Sequence, residues 1–433
     1  MKRLHGIRLP HRKHAEDRKI EAIPLPKRVR IPMQMHLGPA CTPAVAVREH
    51  VSVGQIIGTA AADGAVPIHA SVSGTVTAIA PFLAPNGTEI PCIEIEPDGK
   101  QALYAGCKPP VLETKDDLIR AARESGCVGL GGAGFPTYLK LATKHKIDML
   151  IVNGAECEPY LTSDCRQMVE EPGDILGGIR LVMQLLKIKE CRIGIENNKP
   201  AAIKLMTYGA AADGNIRICP LPPVYPQGAE KVMIFHTCGR VIPEGKMPAE
   251  MGVLTLNVST CAFLYRYSKT GIPLVERVVT VDGSAVKKPC NLRVPIGTPQ
   301  ADLLKFAECD MERVKKLLSG GPMMGVALYS AEQPVLKQQN GLLALTKAPS
   351  PEPSACIRCG RCMAVCPMKL MPMELERACK KENTALLKKL HLPLCMNCGC
   401  CTYVCPAKRP LAETNQLAKA LLKKAAQREE AKA

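Results

Sequence analysis

The sequence predicts a multidomain chain that combines α/β and α+β folds, and three patterns support this prediction. Short alternating segments with glycine turns fill residues 36–98, helix-like and strand-like segments alternate over residues 114–240, and cysteines concentrate in residues 354–410. The chain has 433 residues, which corresponds to two to four domains at roughly 100–200 residues per domain. With 46% hydrophobic residues, each domain has material for its own core.

The first segments are predicted to be an extended basic arm and then a β-rich module. Residues 1–35 are basic, contain prolines and show no periodicity, so we expect an arm there. Within residues 36–112, the stretches 51–58 and 71–79 alternate between glycine turns, as short strands do. They resemble the biotinyl and lipoyl barrel sandwich. Residues 69–71 correspond to the modified hairpin of that family but include no lysine, so we expect a structural module.

Residues 113–265 are predicted to form an α/β domain with a mostly parallel sheet. Thr114 and the acidic residues after it indicate a helix N-terminus, and Pro172 begins an amphipathic helix. Alternation of helices with strands is typical of parallel sheets. The predicted helices cover residues 118–124, 172–186 and 200–212, and the predicted strands cover residues 149–152, 191–195 and 216–219.

The remaining chain is predicted to hold a small α+β module, a cysteine domain and a terminal helix. Residues 266–346 form the module, with strands at 275–281 and 291–294 and a helix at 300–307. The cysteine domain spans residues 347–410 and begins with a proline-rich linker at 347–353; residues 411–433 are expected to form an amphipathic, charged helix.

Charge and composition narrow the classes of partner. The formal net charge of +17 favours anionic partners, and the basic N-terminal arm suits an acidic lipid surface. Aromatic residues make up 3% of the chain and tryptophan is absent, which argues against nucleic acid because stacking platforms are scarce. The sequence contains no run of about 18 uncharged apolar residues, which a membrane helix would need. Residues 1–13 lack the apolar region of a secretory signal. Basic residues of the arm include Lys2, Arg3, Arg8, Arg12, Lys13, Lys27, Arg28 and Arg30.

Eight of the 22 cysteines form two groups of the same spacing, C-x2-C-x2-C-x3-C-P. In two-cluster ferredoxins three cysteines of such a group hold one 4Fe–4S cluster, and the fourth reaches the other cluster. Zinc is the alternative, but zinc ribbons use pairs of cysteines and need neither the third cysteine nor the Cys-Pro. The spacing predicts one cluster on Cys356, Cys359, Cys362 and Cys405, and a second on Cys395, Cys398, Cys401 and Cys366.

Other cysteines are predicted to have structural roles. Cys400 is extra to the pattern, and we expect it to pack rather than to bind iron. The scattered cysteines are expected to be reduced core residues. Residues 367–394 separate the two groups by more than a minimal ferredoxin needs, so we expect an added helix there.

A glycine-rich loop at residues 129–137 predicts a nucleotide site. It contains Gly-x-Gly-x-x-Gly, which binds dinucleotides when it directly follows a strand. Here a helix is predicted before it, so the sequence does not predict the dinucleotide-binding motif. Closely spaced glycines still allow backbone N–H groups to approach a phosphate. A helix expected near Pro136 would add its positive end.

The loop sequence GLGGAGFPTYLK resembles the FMN- and NADH-binding loop of the NADH-oxidising subunit of respiratory complex I. Three further stretches resemble that family in the same order, at residues 153–159, 225–230 and 257–260. Ala155, Ala229 and Leu256 depart from its usual Asp, Glu and Asn.

This resemblance implies roles for individual residues. Gly131, Gly132, Gly134 and Lys140 would face the FMN phosphate and ribityl chain, with Gly129 in the same loop. The flavin would contact Asn153, Asn257 and Thr260, and Phe135 would lie near the dinucleotide. Glu156, Glu158 and Glu230 would border the nicotinamide and its ribose; Glu156 and Glu158 are the candidate catalytic residues, and no side-chain nucleophile is expected.

Nearly the whole chain resembles the C subunit of the Rnf complex, a membrane-bound ferredoxin:NAD oxidoreductase. The similar stretches include HGIRLPHRK, NGAECEPYLTSD, YPQGAEK, SGGPMMG and both cysteine groups. The resemblance implies a Rossmann-like FMN/NADH domain, a β-grasp-like SLBB module and a ferredoxin-like domain. It also implies hydride exchange with NAD(H) through FMN and electron transfer through two clusters. The protein would lie on the cytoplasmic membrane face, bound to Rnf membrane subunits, with ferredoxin an indirect partner.

Two other functions fit parts of the sequence. A soluble flavin- and iron–sulfur-dependent corrinoid (cobalamin) reductase would share the nucleotide site and the cysteine groups, but we expect the module at residues 36–98 less often there. A non-enzymatic electron-relay subunit without flavin would accommodate Ala155 and Ala229. Bound FMN would distinguish the enzymes from the relay.

Overall fold

The N-terminal part of the molecule is β-rich, as the alternating sequence predicts. A computed structural model describes residues 4–84 and 87–430. The strands are β1 (Ile20–Ala22), β2 (Val29–Pro32), β3 (Thr42–Pro43), β4 (His50–Val51), β5 (Ile56–Thr59), β6 (Ile68–His69), β7 (Gly74–Leu83) and β8 (Glu89–Pro97). The order β2-β8-β7-β4 forms one sheet and β3-β5-β6 another. Ile31, Ile57 and Ile93 are fully buried in their shared core.

The central domain has the predicted parallel sheet. Its elements are α1 (Lys115–Glu124), α2 (Thr137–Leu141), β9 (Met149–Gly154), α3 (Ser163–Glu170), α4 (Pro172–Leu186), β10 (Glu190–Glu196), α5 (Pro200–Gly209), β11 (Ile216–Leu221), α6 (Glu230–Cys238), β12 (Val253–Asn257) and α7 (Val258–Thr270). The four strands are parallel, in the order β11-β10-β9-β12. Thr114 caps α1 in a capping box with Asp117, as expected from the sequence. Helix α5 ends three residues before its predicted end at 212, at Gly209.

A third unit follows the parallel sheet. It contains β13 (Glu276–Asp282), β14 (Cys290–Pro295), α8 (Gln300–Phe306), β15 (Lys316–Ser319), β16 (Val326–Leu328) and β17 (Gly341–Leu345). These strands and β1 form one mixed sheet in the order β1-β14-β13-β17-β15-β16. Val279, Leu292 and Leu342 are fully buried in its core. The predicted strands and helix of the α+β module are thereby confirmed.

The C-terminal part is helical. It contains α9 (Arg361–Ala364), α10 (Pro372–Lys380), α11 (Thr384–Lys389), α12 (Cys400–Tyr403) and α13 (Leu411–Glu430). The insert at residues 367–394 carries two helices, α10 and α11, where the sequence analysis expected one. Leu375, Leu387 and Ala418 pack them against α13. Residues 347–353 form no helix or strand, consistent with a linker.

The N-terminal segment corrects the prediction of a separate arm. Strand β1 pairs in parallel with β14, and β2 pairs with β8, so residues 20–32 belong to two different sheets. Lys13 is buried, although basic residues of an arm were expected to face solvent. Two basic residues of the predicted arm, Lys2 and Arg3, lie outside the described residues. The same holds for residues 431–433 of the predicted terminal helix. In the part of the chain that is described, no helix has the length and apolarity needed to cross a bilayer.

Candidate functional site

The candidate nucleotide site lies at the carboxyl ends of two neighbouring strands. Strand β9 begins the parallel sheet, β10 and β11 follow on one side, and β12 returns on the other side. The strand order therefore reverses between β9 and β12, where open α/β sheets bind ligands. Asn153 and Asn257 are register partners at the ends of these two strands.

The glycine loop lies over this pair of asparagines. The backbone N–H of Leu130 donates to Thr260 Oγ1 at 3.1 Å. A Cβ on Gly131 would stand 3.2 Å from Asn257 Nδ2, so the loop contacts the strand end closely. Residues 131–133 are exposed, and their backbone is open to a ligand. Gly134 has φ of +64°, which favours glycine where the loop turns back to Phe135, a partly buried residue.

The helix expected after the loop is present but short. Helix α2 has five residues and begins at Thr137. One turn carries little of the macrodipole that a longer helix would offer to a phosphate. The predicted helix near Pro136 is confirmed, and because it is short, a phosphate at this site would depend mainly on the loop backbone and Lys140.

Lys140 and Glu230 form an ion pair at the edge of the crevice. Lys140 Nζ lies 2.7 Å from Glu230 Oε1 and donates to Thr255 Oγ1 at 3.1 Å. Burial alone would raise the pKa of Glu230, but the Lys140 charge and hydrogen bonds from Lys140 and Thr255 lower it overall. The carboxylate is thus ionised at neutral pH and holds Lys140 in place. Thr255 was not singled out by the sequence, since a threonine within a strand gives no functional signal.

Asn153 and Asn257 are both oriented by hydrogen bonds. Asn153 Nδ2 donates to the Gly228 carbonyl at 2.8 Å, and its Oδ1 accepts from the N–H of Ala155 at 3.1 Å. Asn257 caps α7, because its Oδ1 accepts from the Ser259 N–H at 2.8 Å. Ala155 stands where the complex I subunit family has an Asp, and it is fully buried. This position therefore contributes no carboxylate to the crevice.

Asp164 is a buried carboxylate that sequence reasoning missed. Its two oxygens accept from Asn257 Nδ2 at 2.7 Å and Ser259 Oγ at 2.6 Å. Burial raises its pKa, although these two hydrogen bonds oppose the rise. Asp164 therefore fixes the amide that faces the glycine loop. Its place at the end of the matched stretch NGAECEPYLTSD was the available signal.

Glu156 is hydrogen-bonded to the start of α3. Its carboxylate accepts from the N–H groups of Asp164 at 2.8 Å and Cys165 at 3.3 Å. A carboxylate there satisfies orphan helix donors and complements the positive helix end. With 9% of its surface exposed, Glu156 is a buried residue that holds α3.

Glu158 also binds protein rather than an open pocket. It accepts from the backbone N–H groups of Met323 at 3.0 Å and Met324 at 2.9 Å. It thereby fixes the turn at residues 320–325. Burial raises the pKa of Glu158 to about 7.

Lys13 ties the N-terminal segment to the same loop. Its Nζ donates to the carbonyls of Glu156 at 3.0 Å and Glu158 at 2.9 Å, and also to the carbonyl of Leu161. Three carbonyls around one buried ammonium make the segment a structural part of the site. The stretch HGIRLPHRK was noted in the sequence, but no role was predicted for Lys13.

The cysteines line two cavities in the predicted combinations. Each cavity takes three cysteines from one group and the Cys-Pro cysteine of the other, as a two-cluster ferredoxin requires. None of the 22 cysteines, all of which lie in the described residues, forms a disulfide. No described group of three or more His, Cys, Asp or Glu residues is arranged to hold a single metal ion. One cavity is lined by Cys356, Cys359, Cys362 and Cys405, and the other by Cys366, Cys395, Cys398 and Cys401.

One cavity adjoins the α/β domain. Tyr225 OH donates to the Cys398 carbonyl at 2.8 Å, and Tyr225 packs with Ile7 and Cys400. Cys157 accepts from the N–H of Gly228, whose carbonyl holds Asn153. A short chain of contacts therefore connects the crevice to the cavity of Cys395, Cys398 and Cys401. Cys400 lines this cavity and packs against Tyr225.

Four family profiles match successive parts of the chain. They are described as the RnfC barrel sandwich hybrid domain at residues 2–100, the Nuo51 FMN-binding domain at 122–266, the SLBB domain at 278–327 and the 4Fe-4S dicluster domain at 355–408. The crevice residues lie within the second of these domains, and all eight cysteines of the two groups lie within the fourth. Fold and site together define a protein with an FMN-binding domain and a 4Fe–4S dicluster domain in one chain.

Curated relatives match along most of the chain. The C subunit of the proton-translocating ferredoxin:NAD(+) oxidoreductase complex of Clostridium ljungdahlii is 40% identical over 84% of this chain and 81% of the relative. The C subunit of the Na(+)-translocating ferredoxin:NAD(+) oxidoreductase complex of Acetobacterium woodii is 38% identical over 86% of this chain and 85% of the relative. Its counterpart in the ion-translocating oxidoreductase complex of Rhodobacter capsulatus is 39% identical over 86% of this chain and 73% of the relative. The chain belongs to this family, the C subunits of Rnf-type ion-translocating oxidoreductase complexes.

A hydrogenase is among the solved structures with a similar fold. An NAD+-reducing [NiFe]-hydrogenase in its H2-reduced state aligns with a TM-score of 0.49 and 17% identity, over 71% of this chain and 63% of the hydrogenase chain. This likeness is too low to support an argument about function.

Proposed function

We propose that the chain is the peripheral subunit of an ion-translocating ferredoxin:NAD+ oxidoreductase complex that exchanges hydride with NAD(H) through FMN and carries single electrons on two 4Fe–4S clusters. The proposal rests on one observation: a single chain combines a glycine-loop crevice, at the point where the strand order of a parallel sheet reverses, with two cavities that are each lined by four cysteines of the two groups. Its relatives are named for this reaction. FMN, when bound, supplies the conversion between a two-electron hydride and single electrons.

The residues of the crevice fit a flavin phosphate and ring. The exposed backbone of residues 131–133 suits a phosphate, and the charge of Lys140 adds to this preference. The strand-end amides Asn153 and Asn257 suit the polar edge of the ring, and Thr260 holds the loop above them. The proposed cofactor-binding set is Gly129, Gly131, Gly132, Gly134, Lys140, Asn153, Asn257 and Thr260, with Phe135 and Glu230 toward the dinucleotide.

The chain's own acids serve to position this site. Glu156 holds α3, Asp164 orients Asn257, and Glu158 anchors the turn at residues 320–325. Hydride transfer needs a fixed geometry and no protein nucleophile, so positioning is the chemistry that these side chains have to supply. We therefore reassign Glu156 and Glu158 from catalytic to positioning residues.

The eight cysteines fit two cubane clusters. A set of three from one group with the Cys-Pro cysteine of the other gives each cluster four thiolates. The cavity of Cys398 is the one that adjoins the flavin crevice through Tyr225.

We further propose that the protein docks on the cytoplasmic face of the cell membrane through the membrane subunits of its complex, with ferredoxin an indirect partner. The basic composition, with a net charge of +17, supports a position next to an anionic surface. The barrel sandwich at residues 2–100 favours this assignment over a soluble corrinoid reductase.

Anaerobic purification followed by NADH addition tests the proposal. We expect one FMN and about eight irons per chain, because each cubane holds four. NADH should bleach the flavin and then give the reduced-cluster signal in electron paramagnetic resonance. Eight irons without FMN and without any response to NADH would reduce the chain to a relay and refute the proposal.

Single cysteine variants test the crossed ligand pairing. Cys405 and Cys366 both precede a proline, but each is assigned to the cluster held by the other cysteine group. We therefore expect C405S to lose the cluster of the first group and C366S to lose the cluster of the second group. C400S is the matched control and should keep the full iron content. If C405S disturbed the cluster of Cys395, Cys398 and Cys401 instead, the pairing would be wrong.

A further inference from the structure

The loop that carries the first cysteine group has an unusual surface. Cys356 and Cys359 are exposed, and Ile357 between them has 67% of its surface exposed. Arg358 and Arg361 are exposed in the same loop. Among the described residues neither arginine forms an ion pair. We call Ile357, Arg358 and Arg361 the Arg358 face; all three line the mouth of one cavity.

The two cysteine cavities differ in their charged surroundings. The cavity beside the Arg358 face is lined by three arginines and no carboxylate. One of the three, Arg409, is already neutralised by Glu376 at 2.7 Å, which leaves Arg358 and Arg361 free to bind another molecule. The lining of the other cavity contains no Lys, Arg, Asp or Glu. That cavity adjoins the α/β domain through Tyr225, whereas the residues of the Arg358 face are exposed to solvent.

We propose that the Arg358 face docks an acidic surface of a protein electron-transfer partner. An exposed isoleucine flanked by unpaired arginines has the composition of an interface centre, where apolar anchors and arginine are enriched. Unpaired positive charges select a negative surface and speed its encounter. Short-lived electron-transfer complexes need only small interfaces, which this loop can provide. The inference rests on the proposed function, since it names the partner class for the dicluster domain.

An acidic two-cluster ferredoxin serves as the probe, because it presents the kind of acidic electron-transfer surface inferred here, although ferredoxin itself is proposed to be an indirect partner. Its binding to the intact, cofactor-loaded protein tests the inference. Affinity is measured by calorimetry under anaerobic conditions at several salt concentrations. The variant R358E/R361E is compared with R217E/R313E, which makes the same charge change at two exposed arginines outside the dicluster domain. Iron content is counted first, and R358Q/R361Q replaces the reversal if the latter loses iron.

We expect wild-type binding to weaken with salt, R358E/R361E to bind about tenfold or more weakly, and R217E/R313E to bind as wild type. I357S should weaken binding without changing the salt dependence, because it removes area rather than charge. Absence of wild-type binding, equal binding by both double variants, or binding only to vesicles of anionic lipid would each overturn the inference. Flavin bleaching by NADH in the same wild-type sample reports on the proposed function separately, so the two failures are distinguishable.

Discussion

At the scale of single residues, three acids close together in sequence have three different roles. Glu156 caps a helix, Glu158 anchors a turn from another unit, and Asp164 orients a site asparagine. All three are carboxylates within nine positions of sequence, and residue type does not say in which direction each one points. Their roles depend on which N–H groups lie nearby in the fold.

Asp164 gives the sharpest test of positioning. In D164N one carboxylate oxygen becomes an NH2 group that cannot accept a hydrogen bond, so either Asn257 or Ser259 loses its acceptor. We therefore expect FMN to bind about tenfold more weakly, a loss of roughly 1–2 kcal/mol. Flavin fluorescence titration measures this change. D174N is the control, since Asp174 lies on α4 near Arg266 and does not contact the crevice. Unchanged FMN affinity in D164N would contradict the positioning role.

Glu158 should make stability depend on pH. Because its pKa is raised from 4.5 to about 7 by burial, its protonated form favours the folded state. Its contribution is full below about pH 4.5 and is lost as the pH rises through about 7. We expect the apparent melting temperature of the wild type to fall more steeply over this range than that of E158Q, as measured by circular dichroism. E312Q, at an exposed glutamate, should follow the wild type.

At the scale of elements, the site depends on loops and on the contact between the α/β domain and the dicluster domain more than on any single helix. Helix α2 is a single turn, so the glycine loop and the strand ends build the crevice. Tyr225 precedes α6, and its hydroxyl donates a hydrogen bond to the carbonyl of Cys398 in the dicluster domain. This contact connects the α/β domain to the dicluster domain with one hydrogen bond and shared apolar packing.

The Tyr225 hydroxyl can be tested by removing it. Y225F keeps the ring but leaves the Cys398 carbonyl without this donor, so the dicluster domain should be held less firmly. We expect normal FMN and iron contents, slower appearance of the reduced-cluster signal after flavin bleaching, and faster proteolysis within the linker at residues 347–353. Y208F, at a tyrosine with 83% of its surface exposed, is the control. Identical kinetics for the two variants would count against the link.

At the scale of the whole molecule, the N-terminal segment joins units that are distant in sequence. Ile7 bridges to Tyr225, Lys13 binds the loop at residues 156–161, β1 extends the sheet of β14, and β2 extends the sheet of β8. One segment of about thirty residues thus contacts the barrel sandwich, the parallel-sheet domain and the SLBB unit.

Lys13 should be the most sensitive point of this segment. K13M keeps the apolar stem but leaves three carbonyls without their donor, which costs on the order of 1–3 kcal/mol for buried groups. We expect a lower apparent melting temperature and weaker FMN retention, because the loop at residues 156–161 loses its anchor. K19M, at an exposed lysine of the same segment, should behave as wild type. Equal melting temperatures for the two variants would contradict the anchoring role of Lys13.

Features that depend on local order along the chain were predictable from the amino-acid sequence. Cysteine spacing predicts the crossed sets that line the two cavities, because a short loop fixes which thiols can converge. Alternation of helices and strands predicts the parallel sheet, and the glycine run marks the crevice. The burial of Lys13, the capping of a helix by Glu156 and the joining of two domains by Tyr225 emerged only in the folded molecule. These features rest on contacts between residues more than a hundred positions apart or on side-chain direction, and no periodicity or spacing encodes either.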